Sequence, residues 1–194
     1  FPFGSSSAKY RNYPNDDSTL VNTYGYLYNW HAAMNGSGQS NSNPSGVQGA
    51  CPAGWHIPSK SEWEQLLEYV QNHPQYWCHN DSNYIAKALA STDGWGESSD
   101  IESCMPMNQS YNNNATGFSA LPAGFGAYNS EASETSIIYS YFAGSYGIQA
   151  YYLSSTTYAG INVEGITLWG VSINVVLNPT LNTTFLYCVR CLRD

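Results

Sequence analysis

The chain has 194 residues, of which 42% are hydrophobic and 15% aromatic, so it can fill a folded core and is not expected to be disordered. Its net charge is −8 and its six basic residues form no patch, which argues against nucleic acid as a partner. No apolar run approaches the roughly 18 residues that direct membrane insertion requires. The length predicts one domain.

The N-terminal part is predicted to contain a polar segment, a strand and a loop. Residues 1–19 are polar and are expected to form a loosely attached lead-in to a single domain at residues 20–194. The aromatic, β-prone segment Tyr24–Trp30 predicts the first strand. Residues 35–49 consist almost entirely of small and polar residues and predict a surface loop.

Two helices are predicted in the middle of the chain. Ser59 and Glu62 have the spacing of a capping box. Apolar residues then recur at helical spacing, namely at Trp63, Leu66, Leu67 and Val70. Pro74 is expected to end this helix, and a second, shorter helix is predicted at Tyr84–Leu89.

The remainder of the chain is predicted to form short strands separated by Gly, Asn and Pro turns. The candidate strands are Phe118–Leu121, Tyr139–Phe142, Gly147–Leu153, Thr167–Val176 and Phe185–Arg190. Helices followed by a series of strands predict an α+β fold, with two helices packed on short, mostly antiparallel strands.

The five cysteines predict two disulfides and one unpaired thiol. Cys78 and Cys104 lie in polar, Asn/Ser-rich stretches where free thiols would be a liability, and we predict that they pair. A second disulfide is predicted between Cys51 and Cys191, which leaves Cys188 unpaired. Disulfides and a surface poor in charge favour a secreted or cell-surface protein, although no export signal is present in this sequence.

No metal site, cofactor or catalytic set is predicted. His73, Cys78 and His79 lie close together in sequence, but Cys78 is assigned to a disulfide. His31 and His56 lie within aromatic motifs and are predicted to be packing residues. We therefore predict that the protein is not an enzyme.

Several motifs of the chain occur together in a characteristic order: Tyr24–Trp30, Cys51–Ser59 with Glu62 and Trp63, Gly117–Gly124, Tyr152–Thr156 and Val189–Asp194. From about residue 22 onward, these motifs resemble the Fibrobacter succinogenes major paralogous domain. The resemblance implies a C-type-lectin-like fold of the formylglycine-generating-enzyme-like branch. It also implies exposure at a cell surface, as in gut Bacteroidetes, but no fixed ligand.

The C-terminal segment departs from this family pattern. Residues 161–186 are rich in Ile, Val, Leu, Thr and Asn where the family usually has Tyr, Asn and Ser. Apart from Glu164 and Trp169, every residue in 161–187 can be encoded after changes at adenines. This composition resembles the variable region of diversity-generating retroelement proteins and predicts a variable region at residues 157–188. The alternative is a pair of core strands, which favours the same residue types.

We therefore predict an extracellular ligand-binding domain, an adhesin or receptor-binding module on a cell surface or phage particle. Its ligand would be a protein or glycan on another cell or particle, and the apolar side chains favour a protein. The alternative is a structural or assembly module of a pilus tip or cell envelope that binds only neighbouring subunits. The residues predicted to contact the ligand are Tyr151, Tyr152, Tyr158, Ile161, Asn162, Val163, Ile166, Leu168, Val171, Ile173, Val175, Leu177, Asn178, Thr180, Asn182, Thr184 and Leu186.

Overall fold

The structure is a computed structural model that describes residues 10–96, 103–108, 113–127, 146–158 and 162–194. Within these ranges the helices are α1 (Val21–Tyr24), α2 (Trp30–Met34), α3 (Lys60–Gln71) and α4 (Ala86–Leu89). The strands are β1 (Arg11–Asn12), β2 (Leu27–Tyr28), β3 (Trp55–His56), β4 (Gln149–Tyr158), β5 (Asn162–Trp169), β6 (Val175–Asn182), β7 (Tyr187–Cys188) and β8 (Leu192–Arg193).

The main sheet has six strands in the order β1-β2-β7-β4-β5-β6, and β3 pairs with β8 in a second sheet. The pairing is antiparallel except between β4 and β7, where Tyr152 lies opposite Cys188 in a parallel bridge. This confirms the predicted combination of helices with mostly antiparallel strands. Among the described residues, no helix combines the length and apolar character that crossing a bilayer requires.

Part of the predicted lead-in at residues 1–19 is joined to the main sheet and is not loosely attached, because Arg11–Asn12 form its edge strand. Arg11 and Asn12 pair with Tyr28 and Leu27. Beside them, the backbone N–H of Asn29 donates to the carbonyl oxygen of Tyr10 at 3.0 Å. The polar composition of this segment did not predict a strand, because an edge strand is held in the sheet by its backbone hydrogen bonds and not by its side chains. Residues 1–9 lie outside the described residues.

The predicted first strand, Tyr24–Trp30, contains parts of three elements. Gly25 has φ +74°, which ends α1 and turns the chain into the two-residue strand β2. The side chain of Asn29 then accepts a hydrogen bond from Ala32 N at 3.0 Å, which caps α2. A glycine and a cap residue therefore override the β-propensity of the aromatic side chains.

The helix α3 forms as predicted. The hydroxyl of Ser59 accepts from Glu62 N at 3.2 Å, and the carboxylate of Glu62 accepts from Ser59 N at 2.9 Å. This reciprocal capping box begins the helix, and Trp63 and Val70 on its inner face are buried. The second predicted helix is also present but shorter, as α4.

The main sheet separates two hydrophobic clusters because successive side chains of a strand point to opposite faces. One cluster contains Trp63 and Leu89 from the helices and Tyr152, Ile166 and Leu168 from the sheet. The other contains, among others, Met34, Ile57, Leu153, Val163 and Leu181. The strands β4 and β5 are therefore covered on both faces over most of their length.

The predicted strand Thr167–Val176 is wrong as one element, since a turn at residues 170–174 divides it between β5 and β6. In that turn Ser172 N donates to Trp169 O at 3.0 Å. Gly170 allows close approach of Met107, which a side chain at position 170 would contact. Val171 and Ile173 therefore lie in the turn and not in a strand, whereas Val175 begins β6.

The remaining strand predictions are confirmed to different extents. The prediction at Gly147–Leu153 corresponds to β4, which continues to Tyr158. Only Tyr187–Cys188 of the predicted Phe185–Arg190 is a strand. Phe118–Leu121 contains a single bridge, between Ala120 and Ala90. Tyr139–Phe142 lies outside the described residues.

Both predicted disulfides are present. Cys51 is bonded to Cys191 across 140 residues, and Cys78 is bonded to Cys104 across 26. Cys188 is unpaired, as predicted, and its side chain is buried. Two disulfides indicate an oxidising environment outside the cytoplasm.

Candidate ligand-binding surface

The residues predicted to contact a ligand do not form one exposed face. Six are buried: Tyr151, Tyr152, Val163, Ile166, Leu168 and Leu186. Five are partly buried: Asn162, Ile173, Val175, Leu177 and Asn178. Five are exposed: Tyr158, Val171, Thr180, Asn182 and Thr184. Ile161 lies outside the described residues.

The buried apolar members belong to the core, and their predicted exposure is wrong. Ile166 pairs with Leu177 and Leu168 pairs with Val175, and all four pack in the cluster beneath α3 and α4. On the opposite face, Val163 pairs with Leu181 and joins the second cluster. Leu186 is likewise fully buried. The core-strand alternative therefore describes much of residues 162–188.

Tyr151 and Tyr152 are not surface anchors. The Tyr152 ring packs edge-to-face on Phe118 at 5.7 Å, and its hydroxyl accepts a hydrogen bond from Leu121 N at 2.9 Å. Tyr151 lies on the other face, with its hydroxyl donating to Gln149 at 2.8 Å. Burial raises the pKa of both hydroxyls, that of Tyr151 to about 12. Both rings stabilise the interior, and neither is free to meet a ligand.

The exposed apolar residues of this segment concentrate at the turn between β5 and β6. Trp169 is 45% exposed, Val171 48% and Val176 49%. Val176 lies opposite Thr167, so its side chain is on the same face as that of Trp169, and the two are diagonal neighbours. We call Trp169, Val171 and Val176 the hairpin tip.

The other end of the same strands is polar. Tyr158 is exposed at the end of β4, where Asn162 pairs with Asn182. The side chain of Asn182 accepts hydrogen bonds from the backbone and hydroxyl of Thr184 at 2.9 and 2.8 Å, which fixes both side chains. Because β5 has eight residues, this polar end lies roughly 20 Å from the hairpin tip.

The thiols offer no reactive group among the described residues. Burial raises the pKa of Cys188 to about 12, so its nucleophilic thiolate is negligible near neutral pH. Cys191 is held in its disulfide. The possible metal-ligand atoms of Cys78, His79 and Cys104 lie within 4.8 Å of one another. The two sulfurs, however, are bonded together in a disulfide and do not act as thiolate ligands in this state.

A buried histidine network escaped the sequence prediction, which assigned His56 to simple packing. His56 Nδ1 lies 2.6 Å from the carboxylate of Asp194, and Nε2 lies 2.7 Å from that of Glu62. Burial of the ring opposes protonation, but the hydrogen bonds to Asp194 and Glu62 outweigh it and raise the pKa of His56. Both ring nitrogens face carboxylates, so His56 links β3 to α3 and to the residue that follows β8, and neither nitrogen is free to act as a base toward a ligand.

A sequence model of the Fibrobacter succinogenes major domain matches residues 4–193, nearly the whole chain. No curated protein and no solved structure matches the chain. The family match confirms the resemblance carried by the motifs at Tyr24–Trp30, Cys51–Ser59 and Gly117–Gly124. The chain therefore belongs to the Fibrobacter succinogenes major domain family.

Proposed function

We propose that this chain is an extracellular, non-enzymatic ligand-binding domain with a C-type-lectin-like scaffold, acting as an adhesin or receptor-binding module at a cell surface or on a phage particle. The proposal assigns the binding surface to the exposed side chains of residues 157–188, and not to the whole segment. Its partner is a protein, and the main contact is the hairpin tip.

One observation carries the proposal. Among the described residues, four of the six exposed large apolar side chains lie in residues 157–188: Tyr158, Trp169, Val171 and Val176. Exposed apolar side chains grouped on one element are typical of protein-binding surfaces, where aromatic residues supply much of the affinity. The hairpin tip supplies three such side chains within one turn and its flanking strands.

The tip is presented by a stable support. Directly behind it, Leu168 and Val175 pack in the core, and Gly170 N donates to Ile148 O at 2.6 Å. A rigid support lowers the conformational entropy lost on binding. Because Cys188 is buried with a raised pKa, the formylglycine-generating chemistry known in the related fold branch finds no accessible thiol at this position.

The binding proposal is tested with arrays of purified extracellular proteins and of glycans. We expect at least one protein to bind, and the combined substitution Trp169→Ser, Val171→Ser and Val176→Thr to weaken that binding by about tenfold or more. Glu68→Ser removes an exposed side chain of α3 that lies outside the tip and serves as the control. Binding that survives the triple substitution would reject the tip as the contact surface.

The same preparation tests the assembly alternative. A structural subunit that binds only neighbouring subunits would bind no unrelated array component, and if its neighbours are copies of this chain it would self-associate through the tip. Sedimentation over a range of protein concentrations distinguishes the two, since a ligand-binding domain keeps the same sedimentation coefficient in the triple variant and the parent.

A variable region remains part of the proposal in a narrowed form. Diversification that preserves folding is restricted to exposed positions, such as Tyr158, Val171 and Thr180. Sibling sequences from the same locus should differ at these positions and retain Ile166 and Leu168. A nearby template repeat and a reverse transcriptase gene would support retroelement mutagenesis, and differences spread evenly through the chain would contradict it.

A further inference from the structure

A groove outside the β5–β6 hairpin is bordered by Trp55 and Tyr69, the two exposed large apolar side chains of the described residues that lie outside residues 157–188. It consists of two adjoining cavities of about 380 and 570 Å³, which share Leu66, Phe118 and Leu192 as walls. Tyr69 borders the smaller cavity and Trp55 borders the larger one. These volumes are typical of ligand pockets.

The smaller cavity is almost entirely apolar. Its walls are Trp63, Leu66, Tyr69, Phe118 and Leu192, with two polar residues. The carboxylate of Glu62 is already engaged by His56, Ser45 N and Ser59 N, and Gln65 accepts from Asn43. With so few free polar groups, this cavity suits an aliphatic or aromatic side chain and not the hydroxyl groups of a sugar.

Two arginines, Arg190 and Arg193, line the larger cavity. The guanidinium carbon of Arg190 lies 4.9 Å from the centre of the Phe118 ring. Arg193 on β8 pairs directly with Trp55 on β3. A guanidinium stacked on an aromatic ring keeps its N–H edge available for a planar anion such as a carboxylate.

In a chain with a net charge of −8, these two cations differ from the two described lysines, whose ammonium groups are bound by oxygen atoms of the chain. Lys60 is paired with Glu164 and Glu64, and the buried ammonium of Lys87 donates to backbone carbonyls. By contrast, no carboxylate of the described residues lies within ion-pair distance of Arg190 or Arg193. The groove therefore combines an apolar floor with positive charge that the described residues do not neutralise.

We propose that this groove is a second binding site, for an acidic segment of a polypeptide partner. An aliphatic or aromatic side chain of that segment occupies the cavity walled by Leu66 and Phe118. An Asp or Glu carboxylate next to it is bound by Arg190 and Arg193. The apolar floor favours a peptide over an acidic polysaccharide, which would meet the same arginines but find no partners for its hydroxyls.

The test is panning of a phage-displayed random dodecapeptide library on the whole chain. We expect the enriched sequences to place Asp or Glu beside Phe, Leu, Ile or Trp. The affinity of a synthetic enriched peptide is then measured by fluorescence anisotropy. Failure to enrich any sequence, or enrichment of neutral or basic peptides, would overturn the proposal, as would tighter binding of an oligogalacturonate of equal charge.

Substitutions locate the binding. The double substitution Arg190→Gln and Arg193→Gln should weaken binding of the peptide by about tenfold or more, because charge-assisted hydrogen bonds to its carboxylate are lost. Arg11→Gln is the matched control, since Arg11 also stacks on a ring, 4.6 Å from the centre of Tyr26. Circular dichroism checks the fold of each variant, and if the double variant does not fold, the exposed Arg193→Gln alone is used. Equal weakening by Arg11→Gln would reject the site.

Discussion

The inner part of the β5–β6 hairpin and its tip contain the same kinds of side chain in opposite environments. Ile166 and Leu168 are fully buried, whereas Trp169 and Val171, one to five residues further on, are about half exposed. Their residue types do not distinguish them. Strand register and the turn after β5 decide which side chains face the core and which face solvent.

This difference separates two kinds of sequence change. A substitution in the inner part alters packing against both neighbouring strands and the helices, whereas one at the tip alters only a surface. A segment that looks uniform in composition therefore has positions that tolerate change next to positions that do not.

The largest expected effect tests this boundary directly. Leu168→Ala should lower the free energy of unfolding by about 2–5 kcal/mol, because it leaves a cavity in the core. Trp169→Ala, at the neighbouring position, should cost about 1 kcal/mol or less. Urea unfolding followed by circular dichroism measures the free energy of unfolding of both variants. Equal losses of stability would contradict the distinction between the buried inner part of the hairpin and its exposed tip.

A smaller effect is expected at Gly165, where a Cβ atom would collide with Tyr152 O and lie 2.8 Å from Leu181 Cδ1. Gly165→Ala should cost about 1–3 kcal/mol in unfolding free energy through overpacking. Gly38→Ala is the control, because a Cβ there meets nothing within 4 Å. If the two substitutions proved equivalent in thermal unfolding, the close approach of β4 and β5 at Gly165 would be contradicted.

The smallest effect is expected for the pH dependence of stability, through the network around His56, which lies outside the hairpin. Because the folded-state pKa of His56 is raised, the stability it contributes is complete below the unfolded value of about 6.5 and is lost as the pH rises through the folded pKa. His56→Gln should therefore reduce the fall in melting temperature above about pH 6.5. The exposed His79→Gln should leave that fall unchanged, and an unaltered pH dependence in His56→Gln would show that the network is not protonated as inferred.

Local signals in the sequence predicted several elements correctly. The Ser59 and Glu62 capping box determines where α3 begins, and it is formed by residues three apart. The pairing of Cys78 with Cys104 follows from two cysteines in otherwise polar stretches. In each case the deciding interaction lies within the segment or follows from simple chemistry.

Other features depend on contacts that local sequence does not contain. The turn after Trp169 lies against Met107 at Gly170, and the register that sets Val176 opposite Thr167 places its side chain on the same face as that of Trp169. The groove brings together Trp55, Phe118 and Arg190, which are more than 60 residues apart in sequence. No periodicity or motif in the sequence indicates that these residues are close together, so the groove was not predicted. For the same reason, the predicted ligand-binding surface includes residues that are buried.

The position of β7 in the main sheet has a consequence for how the protein folds. This strand has only two residues, yet it lies between β2 and β4 and joins the pair β1–β2 to the three long strands β4–β6. For the sheet to fold as one cooperative unit, β7 must therefore pair with β2, which is about 160 residues away in the sequence. Until β7 docks, β1 and β2 lack a neighbour on one side, and hydrogen exchange should find their amides protected only after β7 is in place.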